Sequence, residues 1–158
     1  MTKRTNSTSI FLLAFTAATG FASTGCDGDD DEAPKDSTTP THIEVSGDWE
    51  NTLFQEEDAI DDAAWSMTNG VGTDMVTTTD FVITSFDNAT NTVILEDPSG
   101  KFNRWQWTDV DGDAFYYCMV AFNLDSAEDA ENSTETADDS DPENSGCGGF
   151  SWTKLTKK

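Results

Sequence analysis

Asp109, Asp111 and Asp113, with Gly112 beside them, are spaced like the acidic part of a calcium loop, in which alternate carboxylates supply hard oxygen ligands. An EF-hand would place Gly at the sixth position and a closing Glu at the twelfth, where this chain has Ala114 and Val120. A tight turn centred on Asp111-Gly112 accounts for the same residues without a metal. The expectation is therefore no cofactor, with Ca2+ retained as an alternative if another loop completes an oxygen-only site at Asp109, Asp111 and Asp113. Nucleophilic catalysis needs a base, and His42 is the sole imidazole. A lone histidine at a domain edge reads as a surface residue. Paired carboxylates are abundant, but on turns and acidic tracts rather than in apolar settings that would split their pKa values. There is no glycine-rich phosphate loop and no zinc spacing. The reading is not an enzyme. The aromatic set Trp49, Trp65, Trp105, Trp107, Tyr116, Tyr117 and Trp152 has two readings. One is core and girdle packing, because each ring buries a large area. The other is a ligand-lining surface, with Trp49, Trp105, Trp107 and Tyr117 as the candidate binding residues.

The start of the chain supplies an address. Lys3 and Arg4 precede the apolar run Ile10 to Phe15, and small residues follow, which is the layout of a secretory signal. The run is about half of the ~20 residues a membrane-crossing helix needs. Ser23-Thr24-Gly25-Cys26 resembles the lipobox of bacterial lipoproteins, with Ser23 where that family usually has Leu. The resemblance implies cleavage before Cys26 and acyl chains, such as palmitate, on that cysteine. Residues 1–25 would then be a removed signal peptide. The plainer alternative is ordinary cleavage near Ala22 or Thr24. Two or three acyl chains on one residue suffice for stable anchoring, whereas one gives marginal binding.

Removing residues 1–25 takes away two bases and no acid, so the mature chain carries 31 acids against 6 bases. Such a charge repels nucleic acid and anionic headgroups, and nucleic-acid functions are set aside. Residues 26–41, the anchor cysteine followed by DGDDDEAPKDSTTPT, contain no large apolar side chain and read as an acidic linker. Asp27 and the acidic cluster behind it point to different membranes under different sorting rules, so the expected location is a lipid-anchored one in the cell envelope with the leaflet open. Once Cys26 is lipidated, Cys118 and Cys147 remain, and an oxidising compartment would join them.

The domain from 42 to 158 must position these groups. Ile43, Val45, Gly47 and Trp49 alternate with polar residues, as in a half-buried strand. Gln55–Asp62 (QEEDAIDD) is too acidic for an inner strand and is expected to be a loop or short helical turn. Ala64–Thr68 reads as a strand. Asp80–Phe86 and Thr92–Glu96 flank turn residues and form one hairpin. Phe102–Thr108 and Phe115–Phe122 flank Asp111-Gly112 and form another. In Phe115–Phe122 both alternate sets are apolar, which predicts a central strand covered on both faces. Residues 125–143 hold nine acids and no base. They read as an exposed acidic loop, reaching to about 146, with Ser126 capping a short helical turn. Phe150–Leu155 closes the set. The fold class is all-β, a small antiparallel barrel or sandwich of six to eight strands with one disulfide.

Gly47-Asp48-Trp49 on the first strand resembles the Gly-x-Trp signature of the calycins, the lipocalin-type up-and-down barrels. The resemblance implies a Trp packed at the closed end against a basic side chain, here Lys154 or Arg104. Residues 102–155, from Phe102 through Phe115-Tyr116-Tyr117-Cys118 to Trp152-Thr153-Lys154-Leu155, are also similar to a group of small, uncharacterised bacterial lipoproteins, which supports the disulfide and domain limits and implies no activity. The expected function is a membrane-anchored envelope lipoprotein acting as a non-enzymatic binding or interaction module. Its expected partners are the lipid bilayer and an envelope protein or small apolar ligand. The alternatives are a calycin-like carrier of a small apolar ligand, which requires a cavity of roughly 300 Å³ or more, and a structural envelope protein.

Overall fold

A computed structural model describes residues 41–158; Cys26 and the expected signal and linker, up to residue 40, lie outside the described residues. Eight strands follow one another around a closed antiparallel barrel: β1 (Gly47–Asn51), β2 (Glu56–Ile60), β3 (Ala64–Asn69), β4 (Thr77–Asp87), β5 (Thr92–Glu96), β6 (Phe102–Trp107), β7 (Ala114–Leu124) and β8 (Thr153–Lys157). Each strand pairs with its neighbours in sequence, and Trp49 opposite Lys157 and Glu50 opposite Thr156 close the ring. Closure leaves no open sheet edge, which is how small all-β chains avoid pairing with other molecules.

Period-two alternation sends one face of every strand inward. Trp49, Ile60, Trp65, Val93, Leu95, Trp105, Trp107, Phe115, Tyr117 and Leu155 form the core, with Met67, Phe81, Ile83 and Phe86 packed against it. In β4 a register shift between Ile83 and Ser85 returns Phe86 to the core side. The β5 strand and the Asp111-Gly112 hairpin lie where the sequence places them; Gly112 adopts φ 63, the left-handed conformation the turn needs.

Several expectations change. Gln55–Asp62 is not a loop or helical turn: Glu56–Ile60 is strand β2, with Glu56, Asp58 and Ile60 buried. The acids are accommodated because the alternation puts two of them opposite polar partners inside the barrel, described below. The first strand begins at Gly47 rather than at Ile43. Ile43 and Val45 are instead buried in a segment that closes one barrel end. That segment is held by Ile43 N–H donating to Asp62 Oδ1 at 2.8 Å, Glu44 N–H donating to Asn88 Oδ1 at 3.1 Å, and Asn88 Nδ2 donating to the His42 carbonyl at 2.8 Å. His42 is exposed and meets Asp62 at 2.5 Å. β4 starts three residues earlier than the sequence suggests, and β8 is Thr153–Lys157 rather than Phe150–Leu155.

The connection from β7 to β8 is not simply a solvated acidic loop. Ser126 caps α1 (Ala127–Glu131), its hydroxyl accepting from Asp129 N–H. The helix packs on the outside of β5, β6 and β7, with Ala130 fully buried. Arg104 donates to the Ser133 carbonyl at 2.7 Å, and Gln106 Oε1 accepts from Ala137 N–H at 2.9 Å. Cys118 and Cys147 are joined, fastening the far part of the loop to the outer face of β7. β7 is therefore covered on both faces over its first half, while Met119 and Phe122 in its second half are exposed.

Candidate functional site

β6 contributes Asn103, Trp105 and Trp107 to the interior, β7 Phe115 and Tyr117, β1 Trp49 and β3 Trp65. The four residues expected to line a ligand surface, Trp49, Trp105, Trp107 and Tyr117, are all buried. Their neighbours are one another. Trp105 and Tyr117 stack with centroids 5.3 Å apart, and Trp65 meets Trp105 edge-on at 5.0 Å. Trp49 meets Phe115 at 4.7 Å, and Phe81 meets Trp105 at 4.9 Å. Offset and edge-on contacts of this kind are what ring quadrupoles prefer, and they occupy the middle of the barrel. Trp49 Nε1 donates to the Val45 carbonyl at 2.8 Å, which ties the core to the closing segment. Neither basic side chain suggested by the calycin resemblance reaches Trp49: Arg104 lies outside on the α1 connection, and Lys154 sits 5.2 Å over the Tyr116 ring.

Below the rings is a group the sequence analysis missed. Glu56 and Asp58, two residues apart on β2, share the inward face. Tyr117 donates its hydroxyl to Glu56 Oε1 at 2.9 Å, and Trp65 Nε1 donates to Asp58 Oδ1 at 2.9 Å. Burial, reinforced by the neighbouring Glu56 charge, pushes the Asp58 carboxyl up to about 8. At neutral pH Asp58 therefore keeps its proton, beside the Glu56 carboxyl group. Burial, followed by the two carboxyl groups, holds the Tyr117 phenol well above its ordinary range. A protonated Asp58 beside Glu56, each accepting from an aromatic donor, lets a strand of alternating acids cross an apolar interior. The signal was present as the spacing Glu56-x-Asp58-x-Ile60, but the charge of the segment masked its period.

Asp109, Asp111 and Asp113 sit at the closed end and are exposed. Asp109 Oδ1 accepts from Asn91 Nδ2 at 2.9 Å, the Asp111 and Ala114 backbones exchange hydrogen bonds, and the Asp113 carbonyl accepts from Lys157 N–H at 2.8 Å. Among the described residues no group of three or more His, Cys, Asp or Glu side chains is placed to hold a metal ion.

The outer wall carries a groove of about 320 Å³ where the β1–β2 turn faces β8 and the end of the long connection. Leu53, Phe54, Tyr116 and Trp152 give it apolar walls, and Glu50, Glu143 and Lys154 give it charges. Tyr116 donates to Glu143 Oε1 at 2.7 Å, and Lys154 Nζ lies 3.7 Å from the same oxygen. Trp152 Nε1 donates to the Asp138 carbonyl at 3.1 Å. The acidic connection thus supplies one wall and fixes the aromatic side chain of another. No family model, no curated protein and no solved structure matches the chain.

Proposed function

We propose that the chain is an exported lipoprotein of the cell envelope, held to a membrane by acyl chains on Cys26, whose barrel acts as a non-enzymatic binding module. The observation that supports this reading is the cysteine pairing. Cys118 and Cys147 are joined to each other, a bond that persists in oxidising compartments, and this leaves Cys26 as the remaining cysteine of three. It stands directly behind the signal-like segment, in Ser23-Thr24-Gly25-Cys26. The outer groove between Tyr116, Trp152, Glu143 and Lys154 is the feature best suited to take a ligand, because it combines apolar walls with charges of both signs. On this reading the binding surface lies outside the barrel, whereas a carrier of apolar ligands would need the volume that the stacked rings of Trp65, Trp105 and Tyr117 fill.

Mass spectrometry of the natural mature protein tests the anchor. The expected N-terminal residue is Cys26 with an acyl mass, and Cys26→Ser is expected to move the protein from the membrane to the soluble fraction. A mature N-terminus elsewhere, or a bare Cys26 thiol on membrane-bound protein, would refute the reading.

A further inference from the structure

Exposed large apolar side chains gather at two neighbouring tips. Asn51, Glu56, Asn69 and Thr77 lie opposite one another in a single row across β1 to β4. At about 4.8 Å per strand the row is roughly 15 Å wide. One step beyond it, the β1–β2 turn presents Leu53 and Phe54, 81% and 63% exposed, and the β3–β4 connection presents Met75 and Val76, 81% and 54% exposed. The two loops are joined by Val71 N–H donating to the Gln55 carbonyl at 3.0 Å. The second is held internally by Thr73 Oγ1 donating to the Gly70 carbonyl at 2.7 Å, and Met75 N–H donates to Thr73 Oγ1 at 3.1 Å. Gly70, at φ 76, is required there, since a Cβ would stand 2.2 Å from the Met75 carbonyl oxygen. The four side chains are thus displayed by shaped turns, all on one end of the barrel.

We infer that these tips rest in the interface of the bilayer to which the protein is tethered, with neutral phospholipid as their partner. The inference rests on the anchoring proposed above. Three observations favour this occupant. Four side chains fall far short of the 20–30 residues a side of a standard protein interface, but they form a compact apolar projection of the kind that sinks into an acyl boundary. The turn residues 52–55 and 70–76 contain Asp74 and no base, so the contact suits uncharged or zwitterionic headgroups and not anionic ones. Finally, the chain enters the barrel at the opposite end, through Ile43 and Val45, and the tips follow the far end of β1. Residues 27–41 have a contour of at most ~50 Å, against ~17 Å for the five residues of β1, so a lipid-held Cys26 leaves the tips free to turn back to the same membrane.

The test uses the mature chain, Cys26 to Lys158, coupled through the Cys26 thiol to a maleimide lipid in phosphatidylcholine vesicles containing brominated lipid. This coupling works whether or not the cell acylates Cys26, so the outcome is independent of the natural anchor. The five native tryptophans are Trp49, Trp65, Trp105, Trp107 and Trp152, none more than 6% exposed, so a new tryptophan at an exposed site reports its own surroundings. In Phe54→Trp, and independently in Met75→Trp should the first variant fold poorly, bromine is expected to quench at least half of the added fluorescence. In Ala89→Trp, at the exposed β4–β5 turn of the opposite end, it should quench less than a tenth. Replacing the vesicles with phosphatidylglycerol should reduce the quenching at Phe54→Trp at least threefold. Equal quenching at both ends, or none at the tips, would overturn the inference. So would a dimer in sedimentation equilibrium of uncoupled protein that Phe54→Ser dissociates, because the tips would then belong to a second copy.

Discussion

Asp58 shows how a single side chain can set the pH response of this domain. Its folded pKa, pushed up to about 8, lies above the ordinary 3.8 of an aspartate. The unfolded chain therefore releases this proton first, and the stabilisation is fully present below about pH 4 and is lost progressively as pH rises through 8. Each unit of pH in that window is worth up to about 1.4 kcal/mol, so even a partial effect is measurable against the ~5–15 kcal/mol of an ordinary domain. Denaturant midpoints are expected to fall between pH 5 and pH 9. Asp58→Asn should flatten that slope, because an amide keeps the acceptor for Trp65 Nε1 and stays neutral beside Glu56 at every pH. An undiminished slope in the variant would assign the pH response elsewhere. Tyr117→Phe acts on the partner acid. It removes the donor to Glu56 Oε1 and leaves a buried carboxylate oxygen unpaired, which should cost about 1–3 kcal/mol at pH 7 in equilibrium unfolding.

At the scale of elements, the long connection between β7 and β8 is the part whose behaviour depends most on one covalent bond. Cys118 and Cys147 are 29 residues apart, and closing a loop of that length contributes roughly 3–4 kcal/mol in the chain-entropy model. Replacing both with Ser should lower stability by about that amount. It should also make the 132–146 stretch the first site of proteolysis, while α1 remains held by Ala130 and by its Ser126 cap. The last turn of the connection is equally constrained by backbone shape. Gly146 has φ +100, and a Cβ there would lie 1.8 Å from the Asp138 carbonyl oxygen. Gly146→Ala should therefore displace the strap that positions Trp152, read as a loss of protection of the Trp152 amide in hydrogen exchange. The strands themselves differ in how openly their sequences announce them. Thr92–Glu96 and Phe102–Trp107 are legible because β-branched and aromatic residues alternate between clear turns. Glu56–Ile60 is not, since the stability of a buried acid depends on Tyr117 and Trp65, which are distant in sequence and adjacent only in the closed barrel.

For the whole molecule, the charge is the dominant property: 31 acids against 8 Lys and Arg give a formal net charge of −23. Self-repulsion on that scale destabilises the compact state, and salt screens it over a Debye length of ~10 Å at 0.1 M. Thermal midpoints are expected to rise between 10 mM and 500 mM sodium chloride, and a flat response would mean that the acids are spaced widely enough not to interact. The amino-acid sequence by itself determined the all-β class, most strand positions and the pairing of Cys118 with Cys147. Hydrophobic period, turn chemistry and cysteine arithmetic are local or countable properties. Tertiary structure alone decided that the sheet closes into an eight-stranded barrel instead of splitting into a sandwich, and that Trp49, Trp105, Trp107 and Tyr117 face inward onto one another. It also decided that Glu56 and Asp58 lie inside. Those outcomes follow from which strand faces meet across the interior, and that is settled by register and closure over the whole chain, not by any stretch of it read alone.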